Sequence, residues 1–135
     1  MLNKKVLEEA VRLACEKLIL HPEYDCYPHY SFLVQNNKIL SIGVNNREEL
    51  PPLHYGYHTR VNHSAPKMHS EPVAWKRGRG LLNKMKNWEM INIRLNRQYK
   101  LMPSAPCENC FTLLKSLGCT QFHYSTELGF VKLST

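Results

Sequence analysis

Apolar positions between residues 4 and 20 recur every three to four residues, at Val6, Leu7, Ala10, Val11, Ala14 and Leu18. That spacing lines one face of a helix. His21-Pro22 ends it, because the residue before a proline avoids helical geometry. A loop rich in Tyr and Pro covers 21–30. Ser31–Gln35 and Lys38–Val44 then read as two strands, with Asn36-Asn37 between them as a tight hairpin turn.

Residues 45–68 show no periodicity and contain Pro51, Pro52, Gly56 and Pro66, so a long loop is predicted there. A helix is predicted from Glu71 to Met85. Pro72 sits in its first turn, where a missing N–H costs nothing, and Gly78 and Gly80 weaken its middle. Trp88–Leu95 reads as a strand, alternating Ile91, Ile93 and Leu95 with polar residues, and Asn96–Ala105 as a loop. A short helix from Pro106 or Cys107 ends at Gly118, a suitable C-terminal cap. Gln121–Ser125 is a strand, and Phe130–Leu133 pairs back on it through Glu127-Leu128-Gly129. The order α-ββ-α-β-α-β(β) predicts one α/β domain over 1–135, a mixed sheet of about five strands with helices on its faces.

Composition narrows the class. The chain has 135 residues, a length that suits one domain. No apolar run approaches the ~20 residues of a membrane span, so no membrane partner is expected. Glu8, Glu9, Arg12, Glu16 and Lys17 interrupt any apolar core of a secretory signal, which points to the cytoplasm. Five cysteines at irregular spacing make a poor disulfide framework, in keeping with a reducing compartment. The net charge is +7, and residues 60–100 hold ten basic side chains against Glu71 and Glu89 alone. Such a run suits phosphates, and it equally suits a solvated helix face.

The chemistry sits at two predicted helix starts. His69-Ser70-Glu71 opens one, and Pro106-Cys107-Glu108-Asn109-Cys110 opens the other. Cys107 and Cys110 are three apart, so in a first helical turn both sulfurs lie on one side. Their thiolates gain from the positive helix end. His69 supplies a third ligand. No second CxxC completes a closed structural site, and three protein ligands with an open position is the pattern of a catalytic zinc, one per chain. Glu71, two residues past His69, is placed to face that open position as a general base and proton carrier.

H-x-E followed by P-C-x-x-C resembles the zinc nucleobase deaminases, the cytidine and deoxycytidylate deaminase superfamily, over about residues 31–126. The resemblance implies a cytidine-deaminase-like fold and hydrolytic deamination. Glu71 would pass a proton from the attacking water to N3 of cytosine, hydroxide would add at C4, and Glu71 would then protonate the departing amine. It implies that Asn45, closing Gly43-Val44-Asn45, binds a sugar hydroxyl. The Ser70 N–H would meet the base carbonyl, and backbone groups of Ser104-Ala105 would hold the exocyclic amine. Pro72 directly after the glutamate is unusual for the family. The small tetrameric cytidine deaminases have Cys where this chain has His69. Only nine residues follow Thr126, too few for a crossover helix to another parallel strand. A hairpin close resembles the branch of nucleoside enzymes, bacterial toxin deaminases and plant RNA-editing domains.

Other residues admit two readings. His54, Tyr55, Tyr57, His58, Arg60 and His63 suit stacking and phosphate contacts, a second metal, or ordinary loop packing. Tyr124 suits stacking on a base or a structural place on its strand. Trp75 and Trp88 read as core, and Arg77-Gly78-Arg79-Gly80 is too short for an RNA-binding repeat. Arg60 and Lys67 precede His69 and are expected near the pocket mouth. The expected function is zinc-dependent conversion of cytosine to uracil, in single-stranded nucleic acid or in a cytidine or deoxycytidine nucleotide. The charge favours nucleic acid. The alternatives are a free nucleoside or nucleotide deaminase, adenine deamination, and a non-catalytic zinc module that binds nucleic acid. A homo-oligomer fits each of them.

Overall fold

A computed structural model of the chain describes residues 2–20, 28–45 and 69–134. The first helix, α1, spans Lys4–Leu20 and buries Val6, Ala10, Ala14 and Leu18, the periodic apolar face. Strands β1 (His29–Gln35) and β2 (Lys38–Val44) follow as an antiparallel hairpin. Asn36 and Asn37 both take positive φ, 52° and 58°, and such a turn matches the natural twist of paired strands. Helix α2 (Ser70–Gly78) runs into a single 3-10 turn, Arg79–Leu81. Then come β3 (Trp88–Leu95), β4 (Leu101–Met102), α3 (Glu108–Ser116), β5 (Cys119–Thr126) and β6 (Gly129–Ser134).

The main path of the sheet runs β2-β1-β3-β5-β6, with β4 paired to the end of β3. Strands β3 and β5 are parallel, joined through α3, and the other pairs are antiparallel. The close of the chain is therefore the expected hairpin return. Alternation along the strands supplies two apolar faces. Tyr30, Phe32, Val34, Ile91, Ile93 and Leu95 pack under α1. Leu33, Met90, Trp88 and Phe122 pack with Ala74 of α2 and Leu114 of α3. Both faces of β1 and β3 are covered, and these central strands are almost wholly buried. Among the described residues, no helix is long and apolar enough to cross a membrane.

The structure departs from the sequence pattern in two places. The helix predicted to reach Met85 ends at Gly78, and residues 82–87 hold no helix. Gly78 serves packing there, since a Cβ at that position would collide with Ser41 and Leu33. Gly80 then removes helix propensity from the next turn. The predicted 96–105 loop contains β4, whose two residues pair with Arg94 and Leu95. Two residues are too few to show a period. Of the long loop expected over 45–68, only Asn45 lies within the described residues.

Helix α2 lies directly on β2. A Cβ on Gly43 would collide with the Ala74 nitrogen and the Ser70 carbonyl oxygen, so this strand position admits glycine alone at the present helix depth. The Ser41 hydroxyl donates to the Ala74 carbonyl at 2.6 Å, tying the same two elements. Gly43→Ala is expected to lower unfolding stability by about 1–3 kcal/mol, the usual scale of overpacking, in urea denaturation. An unchanged midpoint would show that α2 sits on β2 less tightly than this contact requires.

Candidate active site

Both helices on this face begin at a ligand-type residue. His69 precedes α2 with φ −67° and ψ 160°, and Cys107 precedes α3 with φ −66° and ψ 156°. The extended backbone at each cap turns its side chain back toward the other helix start. The Cys107 sulfur caps α3 by accepting from the Cys110 N–H at 3.3 Å. His69 Nδ1 lies 3.2 Å from Cys110 Sγ and 3.8 Å from Cys107 Sγ. These three ligand atoms all lie within 4.8 Å of one another.

Zinc–sulfur and zinc–imidazole bond lengths place the ligand atoms of one tetrahedral ion about 3.5–3.8 Å apart. The observed separations bracket that range, and two sulfurs with one imidazole nitrogen are the donors zinc prefers. The cluster fits zinc on geometry and on chemistry. The two thiols differ in acidity. A hydrogen bond from the Cys110 thiol, aided by His69 and the Cys110 N–H, outweighs burial and lowers the Cys107 pKa to about 4. The Cys110 pKa is pushed up, chiefly because its proton is held in the bond to Cys107, with burial adding to the effect. A bound cation would take the place of that proton and hold both sulfurs as thiolates.

Glu71 is buried at 5% exposure in the first turn of α2. Burial raises its carboxyl pKa most. The Cys107 charge adds to that rise, while His69, the backbone and a hydrogen bond from Asn92 act against it. A chain of buried polar groups supports this residue from beneath. The Ser70 hydroxyl donates to Glu71 Oε1 at 3.1 Å and lies 2.7 Å from the Ser31 hydroxyl. Ser31 donates to Asn92 Oδ1 at 2.6 Å, and Asn92 Nδ2 donates to the Ser104 carbonyl at 3.2 Å. Ser104 and Ser125 hydroxyls, 2.8 Å apart, extend the network to β5. Hydrogen bonds in so dry a place hold the carboxylate in one orientation.

A cavity of about 210 Å³ opens beside these groups, lined by His29, Asn45, His69, Ser70, Glu71, Ala105 and Cys107. The structure thus gathers His69, Cys107, Cys110, Glu71, Ser70, Asn45 and Ala105 at one place. Ser104 is adjacent but turned inward. Its N–H donates to the Ser125 carbonyl and its own carbonyl accepts from Asn92, so Ala105 presents the cavity side of that pair. Tyr124 is half-buried on β5, in register with Asn92 and Val131, and is not among the residues lining the cavity. Arg60 and Lys67, with the other loop residues from His54 to His63, lie outside the described residues.

His29 and Asn92 escaped the sequence pattern. His29 reaches the cavity from the first residue of β1, and its N–H donates to Asn45 Oδ1 at 3.3 Å. One signal was available for Asn92: a polar residue interrupts the apolar face Trp88, Met90, Asn92. A buried polar group at such a position needs partners, and functional networks supply them.

No family model matches the chain, and no curated protein matches it. Among solved structures it is similar to the dCMP deaminase of the cyanophage S-TIM5. The apo crystal structure is 14% identical with a TM-score of 0.54, covering 91% of this chain and 84% of that one. The complex with dCMP and dUMP is 16% identical with a TM-score of 0.57, covering 92% and 83%. The likeness shows the fold: the six-stranded mixed sheet with its flanking helices is the deaminase-like α/β architecture.

Purified protein is expected to carry about one zinc per chain by elemental analysis, and Cys107→Ala to lose it. In chelator-treated protein at pH 7, Cys107 should alkylate readily, because its pKa lies well below that pH. Buried Cys119, whose thiol is pushed up to about 12, should not. Added zinc should protect Cys107 in peptide mapping. Metal content unaffected by Cys107→Ala would overturn the ligand assignment.

Proposed function

We propose that the chain is a zinc-dependent hydrolase that deaminates the cytosine of a nucleotide to uracil. One observation carries this reading: a buried carboxylate, Glu71, shares a small cavity with His69 and Cys107 of a three-ligand cluster and with Asn45. A closed structural metal site has no use for a buried carboxylate or an open cavity beside it. The fold likeness supports the reading, and the dCMP and dUMP bound by the structural neighbour support a cytosine nucleotide as the ligand.

His69, Cys107 and Cys110 hold the metal, which supplies Lewis-acid activation of a water molecule. Glu71 accepts one proton of the attacking water at its carboxylate and delivers it to N3 of the ring, then takes the second proton from the hydroxyl added at C4 and delivers it to the departing amine. Burial raises its carboxyl pKa, which favours taking up each proton in turn. The Ser70 hydroxyl and Asn92 fix the carboxylate while it does so. The Ser70 N–H faces the base carbonyl, Ala105 borders the exocyclic amine, and Asn45 takes a sugar hydroxyl. The His29 N–H bond to the Asn45 side chain orients that amide. Water enters as nucleophile, and ammonia leaves.

A panel of cytidine, deoxycytidine, their monophosphates and cytosine-containing single strands, read by ammonia release with and without chelator, tests the reading. Chelator-sensitive turnover of one cytosine class supports it, and no release from any class overturns it. Glu71→Gln is expected to retain zinc and fold yet lose at least ~10² in rate, the usual scale for a general acid–base group. Near wild-type turnover by Glu71→Gln would refute the proton-carrier role.

A further inference from the structure

A second concave surface lies at the opposite end of the two helices that open the active site. It is a groove of about 900 Å³, lined among others by Trp75, Arg79, Lys84, Lys86, Trp88 and Leu117. His69 and Cys107 cap the starts of α2 and α3, whereas this groove gathers their ends. Nine helical residues at 1.5 Å each separate the two surfaces by roughly 13 Å along α2.

The groove has one sign of charge. From Pro72 to Trp88 the chain holds Lys76, Arg77, Arg79, Lys84 and Lys86 and no acidic residue. Arg79, Lys84 and Lys86 line the groove, are exposed, and have no carboxylate partner among the described residues. Helix carboxyl ends attract cations, but each contributes only about half a negative charge. Two such ends leave the three lining cations largely uncompensated. A concave surface carrying one sign of charge concentrates ligands of the other sign.

The groove also offers stacking surface. The Arg79 guanidinium lies over the half-buried Trp75 ring, 5.2 Å from its centroid. A guanidinium stacked on an indole is a planar cationic platform, able to take a base on one face and a phosphate at its edge. Exposed Leu81 and Met85 flank the basic residues, so cations alternate with apolar side chains along the rim. Gly80 has nothing within 4 Å of a built Cβ, which leaves the backbone open to a close approach.

We propose that this groove binds a segment of single-stranded polynucleotide, its phosphates on Arg79, Lys84 and Lys86 and a base against the Trp75–Arg79 stack. The site is separate from the catalytic cavity and goes beyond the proposed activity. It would hold the chain on a strand whether the cytosine acted on is free or part of that strand.

The test measures binding of a fluorescein-labelled twelve-residue oligo(dT) and oligo(rU) by anisotropy over a salt series, using the full chain with its metal. Neither probe contains cytosine, so binding is read apart from turnover. Three phosphate contacts predict a log–log salt slope near −2 for a single strand. Quenching of tryptophan fluorescence should accompany binding. The triple variant Arg79→Gln, Lys84→Gln, Lys86→Gln changes exposed side chains and should keep fold and zinc content. Its affinity at low salt should fall at least tenfold and its salt slope flatten, with deoxycytidine monophosphate turnover unchanged. Absence of binding by the wild type, or unchanged affinity and slope in the triple variant, would overturn the proposal. Two further outcomes would also overturn it: equal binding of poly-glutamate without tryptophan quenching marks a surface for acidic proteins, and a dimer dissociated by the triple variant marks a contact between copies. A failure confined to cytosine turnover bears on the proposed function alone.

Discussion

Backbone meets backbone where α2 crosses β2 at Gly43, and the depth of that crossing governs the site. A side chain there would lift α2 off the sheet. At the present depth the Ser70 hydroxyl reaches Ser31 on β1, and Glu71 receives a hydrogen bond from Asn92 on β3. The strand leaves the contact and, two residues later, presents Asn45 to the cavity wall. One missing methyl group thus coordinates a helix start, a buried carboxylate and a binding wall. The buried polar chain beneath can be satisfied only at that spacing, because hydrogen bonds weaken quickly outside their narrow distance range.

The parts of the site that are local in sequence were legible. Two sulfurs three residues apart at a helix start have their geometry set within one turn, and His69 opens a helix of its own. What the sequence could not display were contacts made by sheet register. His29 reaches Asn45 because β1 and β2 pair antiparallel, and Asn92 lies beneath Glu71 because β1 and β3 pair with Ser31 opposite Asn92. These contacts join positions 16 and 61 residues apart, and periodicity along one strand does not state which residue lies opposite.

The element order was legible for the same local reasons, and the errors fell where local rules compete. Helix periodicity continues past Gly78, but that glycine is used for packing on Ser41 and Leu33, and Gly80 follows it. Adjacency to His69 put Arg60 and Lys67 near the pocket mouth, and both lie outside the described residues. The basic residues that follow His69 run away from it: a helix carries each successive residue 1.5 Å further, so Arg79, Lys84 and Lys86 gather at its far end.

The ligand spacing also bears on how the chain holds together. His69 and Cys107 are 38 positions apart, and the stretch between them contains α2, β3 and β4. A cation gripping both ends closes that stretch into a ring, as a covalent bridge would. For a ring of this length the chain-entropy relation used for disulfides gives about 4 kcal/mol, by narrowing the freedom of the unfolded chain. The four described cysteines are all free thiols. A protein stapled in this way trades dependence on an oxidising environment for dependence on metal supply. Were the site to hold such an ion, its removal would return freedom to the unfolded chain and lower stability, while the cores packed on both faces of the sheet stayed in place.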